Sequence, residues 1–205
     1  QGNHLATLAF SEAGSRSHFW APVSTARRDQ NGICLNARKN WVTSAHHATL
    51  YVWSSKPFAA EGASTLWLVP SDSSGISIAG SFDGLGLRGN DSTPVTAENV
   101  LIPAHAMLGG DDQGLAIMLE TVLPLFNVLT AATGIGLMEG ATAAACNHVM
   151  GTRYEYLDSS LSELPTIRAY LARMRIATDQ ARCLWLDTLH ALETNREDVM
   201  LRVLE

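Results

Sequence analysis

The chain contains 205 residues, of which 46% are hydrophobic and 17% are charged, and its formal net charge is −6 at pH 7. This length allows one large domain or two small domains with a substantial core, and the composition excludes an intrinsically disordered chain. The negative charge provides no cationic surface for nucleic acid or for an anionic membrane, so we predict neither partner.

No segment of the sequence is typical of a secretion signal or a membrane span. The N-terminus lacks a basic stretch followed by an apolar one, and the longest apolar stretch, 115–129, is interrupted by a carboxylate, a proline and an amide. The cysteines are odd in number and far apart, which favours free thiols in a reducing compartment over a disulfide framework. We therefore predict a cytoplasmic protein without a membrane span.

The first half of the chain reads as a series of short β-strands. The runs Val23–Arg28 and Ile33–Val42 form a predicted hairpin, because Asn31 and Gly32 between them suit the positive φ angles of a tight turn. This pattern predicts an antiparallel β-sandwich or open barrel, which we place at residues 1–110. Further β-rich runs bounded by Gly, Pro or Ser occur at Leu5–Phe10, Thr49–Ser54, Ser64–Val69, Ile76–Ala79 and Val95–Ile102.

After a glycine-rich loop the apolar period becomes helical. Asp111 or Asp112 is predicted to cap a long helix that runs to about Val149 and kinks at Pro124. A second helix follows, in which apolar residues recur every three or four positions. We therefore predict long antiparallel helices of a partial four-helix bundle at residues 111–205, and the fold class is α+β.

The segment Asn40–Ser44, at the end of a predicted strand, carries the strongest functional signal. Side chains alternate between the two faces of a strand, so Trp41 and Thr43 are predicted to lie on the same face. A wide apolar ring beside a hydroxyl suits a planar heterocyclic ligand, because the ring covers area and the hydroxyl meets a polar atom. Taken alone, this pair is more typical of a half-buried strand end with the tryptophan in the core.

Several segments follow one another in an order typical of one family. Phe10–His18 resembles a threonine-glutamate-proline and glycine-serine-aspartate segment, and Asn40–Ser44 resembles a tryptophan-isoleucine-threonine motif. Gly84–Gly89 resembles a glycine-leucine-arginine turn, Val100–Pro103 a strand closed by proline, and Gly110–Met118 the entry to a helical domain. Together they resemble the acyl-CoA dehydrogenase family of flavoproteins. That family has further helices on both sides of these segments, so the resemblance implies that this chain is a middle portion.

The resemblance implies FAD as the cofactor and an acyl-CoA thioester as the substrate. In the family a base removes a proton α to the carbonyl while the β-hydrogen leaves as hydride to flavin N5. Thr43 would hydrogen-bond near N5, Trp41 would pack on the ring, and Phe10 and Ser11 would meet its pyrimidine end. Ser17 would contact the pantetheine or phosphate part of acyl-CoA, although a turn hydroxyl bonded to its own backbone explains this serine equally well.

Arg153 and Tyr156 match an arginine and an aromatic residue that reach the FAD of a neighbouring subunit in the family. A guanidinium suits a pyrophosphate because its planar fork donates two parallel hydrogen bonds. The alternative is a partner for the helix dipole and an aromatic residue at a domain boundary. The resemblance also implies a homodimer or homotetramer formed through the C-terminal helices.

Departures from the family pattern leave the catalytic base unassigned. Arg16 and His18 flank Ser17 where the family has glycine and aspartate, and one family position for the base falls near Phe126 and Asn127, which accept no proton at neutral pH. Three functions follow: dehydrogenation of an acyl-CoA to the 2,3-enoyl-CoA, a flavin-dependent monooxygenase reaction on the same scaffold, or a non-catalytic scaffold or subunit role. No spacing in the sequence predicts a metal site.

Overall fold

The computed structural model of the protein describes residues 2, 4–16 and 18–205. Contacts divide the chain into two compact units, Gln1–Glu120 and Thr121–Glu205. The first unit consists mainly of β-strands, and the second is mainly helical. The strands of the first unit are β1 (Ala6–Ala9), β2 (Thr25–Asp29), β3 (Gly32–Val42), β4 (Leu50–Ser55), β5 (Thr65–Pro70), β6 (Ile76–Ile78), β7 (Thr93–Ile102) and β8 (Met107–Leu108).

These strands form two sheets, with the orders β1-β4-β5-β8 and β2-β3-β7-β6. β1 pairs with β4 in parallel, and the other neighbouring pairs are antiparallel. The predicted hairpin of β2 and β3 is present and closes between Asp29 and Gly32, which are paired. Its turn residues are Gln30 and Asn31 rather than Asn31 and Gly32, and Asn31 does not have the predicted positive φ angle. The antiparallel β architecture is therefore confirmed, apart from one parallel pair and the strand β8, whose two residues are too short to give a periodic signal.

Both sheets contribute side chains to one hydrophobic core. Ile33 and Leu35 of β3 are each 1% exposed, and Trp53 of β4 and Trp67 of β5 are fully buried. β3 thus turns alternate residues towards the core, as expected for a strand with one buried face. Val42, the last residue of β3, is also fully buried, so it fixes the end of this strand within the segment Asn40–Ser44.

The predicted cap of the long helix is wrong. Helix α1 (Gly114–Ile117) begins after Gln113, and no side chain caps its N-terminus. The Asp111 carboxylate instead accepts a hydrogen bond from the Thr65 hydroxyl at 2.6 Å. It also accepts backbone N–H bonds of 2.8–3.2 Å from Phe58, Ala59 and Ala60 in the connection between β4 and β5. These loop donors have no strand partner, so satisfying them outweighs local capping.

A π-helical turn interrupts the long helix immediately ahead of Pro124. This turn, Met118–Val122, separates α1 from α2 (Leu123–Gly151), and Pro124 lies in the first turn of α2. The backbone bonding pattern thus changes just before a residue that cannot donate a hydrogen bond. The kink at Pro124 stays a prediction.

The second unit pairs two long helices. α3 (Pro165–Glu193) follows the short strands β9 (Arg153–Tyr154) and β10 (Ser159–Ser160), and α4 (Val199–Leu204) follows α3. The indole N–H of Trp185 in α3 donates to the Val128 carbonyl in α2 at 2.9 Å, and Arg182 forms an ion pair with Glu139. These pairs run in opposite order along the two helices, which confirms the predicted antiparallel helices.

Much of α2 is exposed and apolar. By length and composition alone the helical segment Gly114–Gly151 could cross a membrane, and 17% of its most apolar window is buried. The core helix of a protein passes the same test, so this finding is weak support for a span. The exposed large apolar side chains of α2 are Leu125, Phe126, Leu129, Leu137 and Met150.

Candidate functional site

The end of β3 is distorted by a β-bulge at Trp41. Lys39 pairs with Val95 of β7 and Val42 pairs with Thr93, so β3 has one residue more than β7 over this interval. The φ angle of Trp41 is 57°, a left-handed conformation that costs a residue with a Cβ about 1–2 kcal/mol. Strain of this kind persists where the surrounding structure fixes the backbone, and it is concentrated at functional sites.

Trp41 and Thr43 are both exposed at this strand end, on either side of a buried residue. The Trp41 side chain is 69% exposed while Val42 is fully buried, and Thr43 is exposed. The Oγ1 atom of Thr43 lies 3.3 Å from the Oγ atom of Ser92, which directly precedes β7. Ser92 was missed at the level of the sequence, because nothing around it marks a functional position. Ser92 is buried, so it can orient the Thr43 hydroxyl, and an exposed ring together with that hydroxyl can hold a planar ligand with polar atoms at its edge.

The segment Phe10–Ser11 lies against the Trp41 bulge. The backbone N–H of Asn40 donates to the Ser11 carbonyl at 2.8 Å. The Phe10 side chain is 5% exposed, so this segment offers a ligand the backbone and the Ser11 hydroxyl rather than the phenyl ring. The first unit therefore brings together Phe10, Ser11, Trp41 and Thr43 of the predicted site.

A buried ion pair joins the same two segments. The Lys39 ammonium lies 2.5 Å from the Glu12 carboxylate, and the two side chains are 0% and 4% exposed. Burial alone would raise the pKa of Glu12, but the Lys39 charge and hydrogen bonds from Lys39, Ser24 and Val23 hold this pKa below its ordinary value. Burial lowers the pKa of Lys39 to about 8, although Glu12 opposes the shift. The sequence places these residues far apart, and no local signal pairs them.

Asp91 holds the loop that follows Thr43. Its carboxylate accepts the backbone N–H of His46 at 2.8 Å and the Thr93 hydroxyl at 2.9 Å, and it lies 2.9 Å from His46 Nδ1. Burial would raise the pKa of Asp91, but these bonds hold it below its ordinary value. Within the described parts of the chain, no group of three or more His, Cys, Asp or Glu residues is placed to hold a metal ion.

The remaining predicted site residues lie in the second unit or outside the described residues. Arg153 of β9 donates to the Asp158 carboxylate at 2.9 Å, both side chains are exposed, and Tyr156 is 82% exposed. An exposed ion pair is weak, so this guanidinium is available to a stronger anion. Ser17 lies outside the described residues. Asn127, near one family position for the base, donates its amide to a backbone carbonyl of α4 at 3.0 Å.

The model of the family domain "Acyl-CoA dehydrogenase, middle domain" matches residues 7–100. Mitochondrial isovaleryl-CoA dehydrogenase from Oryza sativa subsp. japonica is 30% identical over 183 residues, which are 88% of this chain and 44% of the relative. Residues 7–100 thus match the middle domain of the acyl-CoA dehydrogenase family, and the chain as a whole is similar to members of that family. The chain spans less than half the length of that curated relative.

Solved structures share the acyl-CoA dehydrogenase fold of this chain. The acyl-CoA dehydrogenase of Geobacillus kaustophilus aligns with a TM-score of 0.89 at 20% identity, over 98% of this chain and 53% of its own. The FAD complex of PigA aligns with a TM-score of 0.87 at 15% identity, over 98% of this chain and 52% of its own. At these identities the likeness shows the fold, and it confirms the predicted α+β class.

Proposed function

We propose that this chain is part of an FAD-dependent oxidoreductase that dehydrogenates an acyl-CoA thioester between its α and β carbons to give the 2,3-enoyl-CoA. The observation that carries the proposal is the exposure of Trp41 and Thr43 at a strained bulge beside Phe10 and Ser11. The match of residues 7–100 to the middle domain of acyl-CoA dehydrogenases supports the reaction class, and the FAD complex of PigA supports the cofactor. Since the chain covers 44% of the rice relative, the activity belongs to the whole protein.

The residues at this bulge fit the isoalloxazine ring of FAD. Trp41 offers a planar apolar surface, and the Thr43 hydroxyl beside it can donate to or accept from a polar edge atom. When bound, FAD supplies the acceptor for the hydride that leaves the β-carbon. Trp41 would orient the ring by covering it and would keep water from that area. Thr43 and the Ser11 hydroxyl would fix the register of the ring edge.

Removal of the α-proton needs a base, and we assign none in this chain. Phe126 is an exposed hydrocarbon, and the Asn127 amide is engaged with a backbone carbonyl. Neither side chain can hold a proton at neutral pH. Ser17 keeps its proposed role as a contact for the pantetheine or phosphate part of the acyl-CoA.

We further propose that Arg153 and Tyr156 bind the FAD of a neighbouring subunit in a homodimer or homotetramer. Arg153 is paired only with an exposed carboxylate, which a pyrophosphate can displace. The exposed apolar side chains of α2 favour burial against further helices. The domain boundary at 110/111 and the cytoplasmic location also remain predictions, and the rice relative is named as a mitochondrial protein.

The test uses the full-length protein, the variants Trp41→Ala and Thr43→Ala, and Trp20→Ala as the control at another exposed tryptophan. We expect the absorbance bands of oxidised flavin in the purified protein, and anaerobic bleaching when an acyl-CoA is added. Trp41→Ala should weaken FAD binding at least tenfold, and Thr43→Ala should slow bleaching with little loss of FAD. A flavin-loaded protein that straight- and branched-chain acyl-CoAs leave unbleached would refute the dehydrogenase. Reduction by a nicotinamide followed by oxygen uptake would then favour the monooxygenase, and a protein that binds no flavin would favour the scaffold role.

A further inference from the structure

The ion pair between Glu12 and Lys39 is enclosed and fully hydrogen-bonded. The Lys39 ammonium donates to the Ser54 carbonyl at 2.6 Å and to the Ser54 hydroxyl at 3.0 Å, besides its 2.5 Å contact with Glu12. The Glu12 carboxylate accepts the backbone N–H groups of Val23 and Ser24 at 2.9 and 3.0 Å, and the Ser24 hydroxyl at 2.5 Å. No charge in this pair is left without partners.

Stability alone is a poor reason for such a pair. Removing two charges from water is costly, and well-packed apolar residues of similar volume are often at least as stable as a buried ion pair. Burial also lowers the pKa of Lys39 to about 8, so the protein holds this ammonium under an electrostatic penalty. The best-attested reason to retain a buried polar pair is that it fixes one arrangement of the chain against others.

The ion pair lies between the two segments of the candidate site, Phe10–Ser11 and Asn40–Thr43. Glu12 directly follows Phe10–Ser11, and Lys39 directly precedes Asn40 and Trp41. Between the two segments, the N–H of Asn40 donates to the Ser11 carbonyl at 2.8 Å, and the Lys39 ammonium lies 3.5 Å from the Phe10 carbonyl. Lys39 is therefore adjacent in sequence to the Trp41 segment and bonded in space to the Phe10 segment, and Glu12, which is adjacent in sequence to Ser11, is bonded to Lys39.

Lys39 is the last buried residue of β3 before the bulge shifts the alternation of buried and exposed side chains. Ile33, Leu35 and Lys39 are the buried residues on one face of the strand, and strict alternation from them would turn Trp41 into the core. The bulge inserts one residue after Lys39, so that Val42 takes the core position and Trp41 points outwards. Lys39 is thus the last buried residue that follows the strand alternation before the shift.

We infer that Glu12 and Lys39 are a positioning pair, which holds the Phe10–Ser11 segment against the left-handed Trp41 bulge so that the flavin ring meets a preformed surface. The inference rests on the proposed function for the identity of the ligand. The pair acts through the neighbouring segments and touches neither FAD nor substrate itself.

The test is the double variant Glu12→Gln with Lys39→Met, which removes both charges together and leaves none unpaired. The control is Arg175→Met with Asp179→Asn, which removes an exposed ion pair on α3. Two quantities are measured in the full-length protein: the dissociation constant of FAD from flavin fluorescence, and the hydrogen exchange of the Asn40 amide in the FAD-free form. We expect the double variant to raise both the dissociation constant and the exchange rate at least tenfold, and the control to change neither.

A milder variant, Ser24→Ala, covers the case in which the double variant does not fold. It removes one hydrogen bond to Glu12 and leaves the ion pair, so we expect both quantities to rise two- to fivefold. If a folded double variant, or Ser24→Ala in its place, keeps the wild-type FAD affinity and Asn40 exchange, the positioning role is wrong and the proposed function stands. If the wild-type protein binds no FAD, the proposed function fails and the positioning of this cofactor fails with it.

Discussion

Replacing Trp41 by glycine and by alanine separates the backbone of the bulge from the indole that it presents. The φ angle of 57° costs alanine about 1–2 kcal/mol and glycine almost nothing. Glycine loses about 0.4–1 kcal/mol more conformational free energy on folding than alanine does. From the middle of each range we therefore expect Trp41→Gly to be more stable than Trp41→Ala by about 0.8 kcal/mol. Because the indole is 69% exposed, neither variant should lose much packing energy.

The assay is urea unfolding of both variants, followed by circular dichroism, together with FAD binding. The control pair is Trp20→Gly and Trp20→Ala, at an exposed tryptophan outside the left-handed region, where alanine should be the more stable by about 0.4–1 kcal/mol. Both Trp41 variants should lose FAD affinity to the same extent, since both lack the ring. If alanine is favoured over glycine at position 41 by as much as at position 20, the bulge carries no strain and its role in presenting the indole must be abandoned.

Three further predictions concern other contacts. Asp111→Asn should destabilise the protein by about 1.5–3 kcal/mol at pH 7, because a charged acceptor of several hydrogen bonds is lost. Burial would raise the pKa of Asp111, but hydrogen bonds hold it below its ordinary value of 3.8. The extra free energy of unfolding of the wild-type protein over Asp111→Asn should therefore be full above pH 3.8 and should vanish as the pH falls to the folded-state pKa. Urea titrations at pH 7 and pH 3 measure this difference. Trp185→Phe leaves the Val128 carbonyl without its 2.9 Å donor and should cost about 1–2 kcal/mol, whereas Tyr170→Phe at an exposed site of the same helix should cost almost nothing in thermal unfolding. Leu129→Glu with Leu137→Glu should weaken self-association of the full-length protein at least tenfold in sedimentation velocity, while Leu85→Glu should not; equal sedimentation of all three proteins contradicts an interface on α2.

Strand composition and apolar spacing predicted most of the architecture. The two β-rich runs predicted the hairpin of β2 and β3, although its turn uses Gln30 and Asn31 instead of Asn31 and Gly32, and the spacing of apolar residues predicted the long helices. Local rules failed where a distant group competed for the same atoms. Asp111 has the composition of a helix cap, yet loop donors more than fifty positions earlier in the chain take its carboxylate. No window of sequence contains that competition.

The candidate site divides along the same line. Trp41 and Thr43 were predicted because their spacing is local, whereas Ser92 and the Glu12–Lys39 pair depend on contacts between segments 27 to 49 positions apart. A lysine inside a strand pattern reads as a solvent-facing residue, and only the partner on another segment makes its burial possible. The sequence showed the motif Phe10–His18 around Glu12, but it did not show that Glu12 forms a buried ion pair with Lys39.

The orientation of Trp41 decides whether its indole packs in the core or faces a ligand. The two orientations differ by one residue in the pairing of β3 with β7. Alternation from Ile33 through Lys39 places residue 41 in the core, which agrees with a buried tryptophan at a strand end. The inserted residue reverses this outcome, at the cost of a left-handed conformation that a β-bulge would tolerate more readily with glycine. The bulge gives the core position to Val42, but the left-handed backbone at Trp41 still costs about 1–2 kcal/mol and the indole remains 69% exposed. Packing of the indole within the sheet therefore does not offset this strain, which agrees with a tryptophan whose ring covers a bound ligand.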